Sequence, residues 1–207
     1  MSLKYKEFYR RNLPHYQPED SIFAITFCLA FNIPKEVLLD LKDEKRLYEL
    51  EHENEKKTKF YKKYFEEFDA FLAKYEHPLK VGIEGDIASI IVKSLKFNDG
   101  VRYRLIAYCL MPNHVHLILI PLKDEDGNIF SIAKIMHSLK SFTSNECNRL
   151  LGLKGRFWHH ESYDHQIRND KDYTYQLNYL LQNPVTAGLV GNAQDWKNAW
   201  INESLNQ

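Results

Sequence analysis

The stretch YCLMPNHVHLILIP, residues 108–121, decides the fold. It joins two runs, 101–111 and 114–120, that are rich in the β-branched and aromatic side chains typical of strands. Pro112 and Asn113 separate these runs, and both residue types favour turns. The sequence therefore predicts two antiparallel strands with a tight connection between them.

Strand and helix patterns alternate on either side of this hairpin. The mostly apolar residues at 21–31 predict a strand that is buried on both faces. Apolar side chains at three- and four-residue spacing predict helices at 86–95 and 130–151. A further short strand is predicted at 165–168.

A last helix is predicted between Asp170 and Asn183. Aspartate is a favourable N-cap, so Asp170 is expected to begin the helix. Pro184 disfavours helical geometry in the residue before it, so Asn183 is expected at the very end.

Residues 35–76 form a different kind of segment, rich in Glu, Lys, Leu and Tyr and without Gly or Pro. Their periodicity predicts a helical insertion. The order strand, insertion, helix, strand, strand, helix, strand, helix predicts an α+β fold. It is the ferredoxin-like βαββαβ sandwich with a central antiparallel sheet, a helical insertion after the first strand and an extra C-terminal helix. We expect one domain over residues 1–207.

The bulk composition sets limits on the class of protein. Of 207 residues, 44% are hydrophobic and 27% charged, as in globular proteins, and the formal net charge is zero. Neutrality counts mildly against a nucleic-acid partner unless the basic residues form a patch. The three cysteines are too scattered for a zinc ribbon or a disulfide framework. Without a signal peptide or a run of residues long enough to span a membrane, a soluble cytoplasmic protein is expected.

His114 and His116 are two residues apart on the second strand of the hairpin. Alternate residues of a strand point to the same face, so the two imidazoles are expected side by side. Such a pair can supply two ligands to one divalent metal ion. The spacing alone is equally consistent with two hydrogen-bonded histidines at a strand end.

The string around these histidines resembles the HUH motif of the REP-associated and insertion-sequence tyrosine transposases, in which two histidines flank a hydrophobic residue. The resemblance implies that His114 and His116 hold a divalent cation, Mg²⁺ or Mn²⁺, against a scissile phosphate. It covers residues 101–190 well and residues 21–31 weakly.

A second string, DYTYQLNYLLQNPVTAGLV at 172–190, resembles the catalytic helix of the same family. There a tyrosine is followed four residues later by Asn or Gln, which places both on one helix face. The resemblance implies that Tyr179 is the nucleophile and that Asn183 is a third metal ligand. Tyr173 and Tyr175 lie on the same helix and are interpreted as packing residues.

The activity that this resemblance implies is the cleavage and rejoining of single-stranded DNA at hairpin-associated sites, through a 5′-phosphotyrosine intermediate. The expected partner is single-stranded or hairpin DNA in a bacterial cytoplasm, with no membrane. A homodimer and a monomer both remain open.

Candidate DNA contacts come from residues 129–168, where six basic side chains accompany three acidic ones. Such a patch can neutralise phosphates in a protein that is neutral overall. Trp158 is expected either to stack on an unpaired base or to be buried below the sheet edge. The candidates are Lys140, Arg149, Lys154, Arg156, Trp158 and Arg168.

Three alternatives remain at this stage. The chain is a metal-dependent nuclease in which water attacks the phosphate, a catalytically inactive protein that binds DNA hairpins, or a purely structural domain. Retention of His114, His116, Tyr179 and Asn183 together argues against an inactive relative.

Overall fold

The computed structural model describes residues 8–10, 14–16, 18–30, 70–72 and 85–205, with no side chains described in the first two ranges. The chain divides into two units, residues 1–30 with 78–207, and residues 31–77. The insertion predicted at about 35–76 lies outside the described residues except for 70–72, which are helical. A single domain with that insertion therefore stays a prediction.

The described strands form a short hairpin and a five-stranded antiparallel sheet. The hairpin, which the sequence did not predict, pairs β1 (Phe8–Arg10) with β2 (Pro14–Tyr16). The larger sheet contains β3 (Ile22–Cys28), β4 (Tyr103–Leu110), β5 (His114–Pro121), β6 (Tyr163–Ile167) and β7 (Ala199–Ile201). Its order is β6-β3-β5-β4-β7. The first four positions reproduce the strand order of a ferredoxin-like βαββαβ unit, so that prediction is confirmed.

Three described helices accompany the sheet, α1 (Asp86–Phe97), α2 (Ile132–Leu151) and α3 (Asp170–Thr186). Helices α1 and α2 contact one another, and Lys140 of α2 lies over the Phe27 ring of β3. Leu180 of α3 packs in a cluster with Ala24 and Ile118, on the opposite face of the sheet. The extra C-terminal helix therefore packs on the sheet face opposite α2.

Strand β7 was missed by the sequence interpretation. It has three residues and pairs with β4 at the edge of the sheet. Three residues are too few to show an alternating pattern, so no periodicity could indicate this strand.

The prediction that Pro184 ends the last helix is wrong. Helix α3 continues to Thr186, and the N–H of its C-cap Ala187 donates to the carbonyl of Asn183 at 2.9 Å. Because Pro184 lies in the last turn, its missing N–H removes one hydrogen bond, to the carbonyl four residues earlier, and leaves the rest of the turn intact. Asn183 therefore has full helical geometry.

The predicted N-cap of α3 is also displaced by one residue. Asp170 is the first helical residue, and Asn169 before it is the cap, with its side chain accepting the N–H of Asp172 at 2.9 Å. Both residue types can cap a helix, and the backbone conformation of Asn169 decides between them. Within the described ranges, no helix has the length and apolar character needed to cross a membrane.

We expect Asn169→Ala to lower the free energy of unfolding by about 1 kcal/mol, because the N–H of Asp172 loses its acceptor. Asn169→Asp, which keeps a capping oxygen, is the matched control and should unfold at nearly the same urea concentration as the wild type. An equal loss in both variants would contradict the assigned cap.

Candidate active site

The two histidines lie side by side in the middle of the sheet. His114 and His116 are on β5, between β3 and β4, with ring centroids 4.8 Å apart and planes at 87°. Both rings are buried. The strand geometry thus produces the paired imidazoles that the two-residue spacing indicates.

Each imidazole is held at its Nδ1 atom. Nδ1 of His114 is 2.6 Å from Oδ1 of Asn113 in the turn before β5. Nδ1 of His116 is 2.8 Å from Oγ1 of Thr26 on β3. The sequence interpretation missed both partners. Asn113 could have been noticed because it adjoins the motif, whereas Thr26 is distant in sequence.

Helix α3 brings an amide to the same place. Nδ2 of Asn183 is 3.0 Å from Nε2 of His116, and the Asn183 side chain is buried. Because an amide nitrogen donates only, Nε2 of His116 accepts this hydrogen bond. Asn183 thus lies within reach of the nitrogen that a metal would use.

The phenol of Tyr179 lies one helical turn before Asn183, beside the same histidine. Its ring centroid is 6.0 Å from that of His116, with the planes at 90°, and its side chain is half-buried. Tyr175 stacks on Tyr179 at 6.3 Å and is itself exposed. One chain therefore gathers the four residues singled out from the sequence, without a second subunit.

The other tyrosines of α3 behave differently from each other. Tyr173 packs against the apolar cluster below the helix, and burial raises the pKa of its phenol. The packing interpretation of Tyr173 is therefore confirmed. Tyr175 extends from the sheet and contacts Tyr179 instead, so the packing interpretation is wrong for this residue.

The donor atoms at this place suit a divalent cation. Two imidazole nitrogens and an amide oxygen are ligands that such metals accept, and the Nδ1 bonds of the two histidines are of the kind that orient metal-binding imidazoles. In the described part of the chain, no group of three or more His, Cys, Asp or Glu side chains is placed to hold a metal. A cation here would thus need the amide of Asn183, turned so that its oxygen faces the metal.

A histidine–aspartate pair anchors the start of α3. Nε2 of His165 on β6 is 2.9 Å from Oδ2 of Asp172 in the first helical turn. The same carboxylate oxygen accepts the N–H of Arg168 at 3.2 Å. These contacts hold the N-terminal end of α3 against β6, an edge strand of the sheet.

Trp158 is buried, which is the second of its two expected placements. Only 4% of the residue is exposed, and its indole N–H donates to Oγ1 of Thr143 at 2.8 Å. The ring also meets Phe27 edge to face, with the centroids 4.7 Å apart. The assignment of Trp158 as a base-stacking residue is therefore wrong, because both its polar atom and its ring are used inside the protein.

The basic candidates have unequal surroundings. Nζ of Lys140 donates to the carbonyls of His159 and Glu161 at 2.9 and 2.8 Å, so it supports the loop before β6. Arg149 pairs with Glu146 at 2.7 Å. The remaining three side chains are exposed, namely Lys154, Arg156 and Arg168.

A cleft of about 530 Å³ separates α2 from residues 155–164. Asp164 lines it, whereas the next residue, His165, bonds to α3, so the cleft opens on the sheet face opposite the paired histidines. His159 also lines the cleft. Burial, with the nearby Lys140 ammonium, lowers the pKa of His159 and favours its neutral form.

Comparison with known proteins adds a family to this geometry. Residues 70–177 match the family model described as "Transposase IS200 like". A protein of Haemophilus influenzae, provisionally described as a REP-associated tyrosine transposase, is 29% identical over 99 residues, which are 45% of this chain and 56% of the relative. The REP-associated tyrosine transposase of Escherichia coli is 30% identical over 95 residues, 45% of this chain and 52% of the relative. The chain thus spans about half the length of the curated relatives it matches.

A solved structure of a REP-associated tyrosine transposase bound to a REP hairpin shares the fold. The TM-score is 0.51, with 92% of this chain and 80% of that chain covered. Because the sequence identity is 19%, this likeness supports the architecture alone.

Proposed function

This chain belongs to the family of IS200-like transposases, and from that membership we infer that it cleaves and rejoins single-stranded DNA at hairpin-associated sites. The names of the two relatives support this activity, and the hairpin bound by the protein that shares the fold is the reason for proposing this substrate. The relatives are matched over about half their length, and the family model covers the hairpin of β4 and β5 and the first part of α3, up to residue 177.

The observation that carries the proposal is the meeting of α3 with β5. Asn183 hydrogen-bonds His116, and Tyr179 lies against the same imidazole from one turn earlier. Residues i and i+4 share a helix face, so the phenol and the amide approach one point together. That point is where a phosphate would need both a nucleophile and a positive charge.

His114, His116 and Asn183 would hold the divalent cation, Mg²⁺ or Mn²⁺. When bound, the cation supplies positive charge that polarises a phosphate oxygen and stabilises the transition state. The protein's contribution is to hold two imidazoles rigidly on a central strand. Both rings are buried.

Tyr179 acts as the nucleophile in this proposal. An ordinary phenol has a pKa of about 10, so it must lose its proton as it attacks. The tyrosine oxygen bonds to phosphorus, and the bond from phosphorus to the 3′-oxygen breaks. That oxygen takes up a proton and leaves as a 3′-hydroxyl, which balances the proton that the phenol releases. The 5′-phosphotyrosine conserves the energy of the phosphodiester, so a 3′-hydroxyl can attack it to rejoin the strand.

Some expectations from the sequence are kept here as parts of the same proposal. Arg149, Lys154, Arg156 and Arg168 contact phosphates. One chain completes the site, so a dimer is not needed to assemble it. The three cysteines are buried thiols, which suits a reducing cytoplasm.

We expect Tyr179→Phe to abolish a covalent DNA–protein adduct. The test uses a labelled single-stranded hairpin oligonucleotide from the DNA flanking the gene, with Mg²⁺, and denaturing electrophoresis. Tyr175→Phe is the matched control, because it removes the neighbouring hydroxyl from the same helix face. It should retain the adduct.

Two outcomes would contradict this proposal. Cleavage that survives Tyr179→Phe would indicate a nuclease in which water attacks. Hairpin binding by the wild type without cleavage or adduct would indicate an inactive binding protein.

We expect replacement of both Lys154 and Arg156 by Ala to weaken hairpin binding and to reduce its salt dependence. The logarithm of the binding constant falls with the logarithm of salt concentration, and each phosphate contact contributes about 0.9 to the steepness for duplex DNA. The double variant should therefore be less steep by about 2. The control replaces Lys93 and Lys96, which are exposed on α1, and carries the same change in charge. Equal effects in the two double variants would contradict a local contact.

A further inference from the structure

We propose that Thr26 and Asn113 are positioning residues that set the tautomer of the two site histidines. Each holds a proton on Nδ1 of one ring, so that both rings present an unprotonated Nε2. The use of those nitrogens for a cation rests on the proposed function, whereas the tautomers themselves follow from the hydrogen bonds.

The tautomer of His114 follows from its bond to Asn113. The partner of Nδ1 is an amide oxygen at 2.6 Å, and an amide oxygen only accepts. The proton must therefore lie on Nδ1, which leaves the lone pair of the neutral ring on Nε2. His114 is fully buried, so the ring is shielded from bulk solvent.

The tautomer of His116 follows from both of its nitrogens. Nε2 faces the donating amide nitrogen of Asn183 at 3.0 Å and so carries the lone pair. The proton of the neutral ring is then on Nδ1, where Oγ1 of Thr26 accepts it at 2.8 Å. The hydrogen bonds with Thr26 and Asn183 are thus both consistent with a His116 ring that carries its proton on Nδ1.

The two positioning groups are held by the same region of the sheet. Thr26 is directly opposite His116 in the ladder between β3 and β5, so its hydroxyl is on the histidine side. The carbonyl of Asn113 accepts the N–H of Leu29, just beyond β3, at 2.9 Å. Strand β3 therefore holds both the hydroxyl and the turn that bears the amide.

This arrangement matters because a metal binds the lone pair of a neutral imidazole. A ring with its proton on Nε2 would have to shift that proton before binding. Partners on the far nitrogen orient such rings, and their loss typically weakens metal binding 10- to 100-fold, as an order-of-magnitude guide.

The first test reads the tautomer in metal-free protein. Imidazole ¹⁵N NMR at alkaline pH, where imidazoles in general are neutral, should show Nδ1–H and bare Nε2 in both rings of the wild type. Thr26→Val leaves the Nδ1 proton of His116 without an acceptor, so the ring should shift towards Nε2–H, with the Asn183 amide turned so that its oxygen accepts that proton. His114 should stay unchanged as a control in the same spectrum. Thr26→Ser should restore the wild-type signal. An unchanged His116 in Thr26→Val would overturn the role of Thr26.

Asn113→Ala carries the same test on the other ring. It should shift His114 and leave His116 unchanged, and it keeps the inference testable if Thr26→Val does not fold. An unchanged His114 would overturn the role of Asn113.

The second test is Mn²⁺ titration followed by electron paramagnetic resonance. Thr26→Val and Asn113→Ala should each weaken binding about 10- to 100-fold, and Thr26→Ser should bind as the wild type does. Thermal unfolding shows whether the variants remain folded. His116→Ala separates the two ideas: unchanged binding in it would reject the proposed cation site. Lost binding in His116→Ala together with unchanged binding in Thr26→Val would reject the positioning role.

Discussion

The candidate site depends on the packing of α3 against one face of the sheet. Leu180 lies in the apolar cluster of that face. It directly follows Tyr179 and precedes Asn183 on α3, and both of those side chains contact His116. Burial of this one leucine is worth about 2 kcal/mol, and the hydrogen bond from Asn183 adds direction to a contact that apolar packing leaves unspecific. Without this packing, the phenol and the imidazoles would belong to separate parts of the molecule.

The sheet contributes rigidity to the same site. Strand β5 has neighbours on both sides, so the two histidines cannot move apart without breaking the ladder. Strand β3 adds the hydroxyl of Thr26 to one ring. The bond between His165 and Asp172 holds the start of α3 at the edge of the sheet. Every group at the site is thus held from at least one other element, as expected of a site that must be organised before its substrate arrives.

Most of the fold could be predicted from periodicity, because each core strand and helix has a local pattern. The failures occurred where two local signals competed or where no pattern exists. Pro184 disfavours a helix, but its cost in the last turn is too small to end α3. Asn169 and Asp170 are both acceptable N-caps, and Asn169 is the cap because its backbone is extended whereas that of Asp170 is already helical. Strand β7 depends on a neighbour distant in sequence, and so does the burial of Trp158 against Thr143.

The sequence by itself determined the relations that lie within one element. His114 and His116 share a strand face because of a two-residue repeat, and Tyr179 and Asn183 share a helix face because of a four-residue interval. Only the tertiary structure decided that these two faces meet, that Thr26 supplies a partner for His116, and that Trp158 is buried against Thr143. The reason is physical: backbone geometry relates near neighbours through fixed periods, whereas contacts between distant residues depend on how whole elements pack.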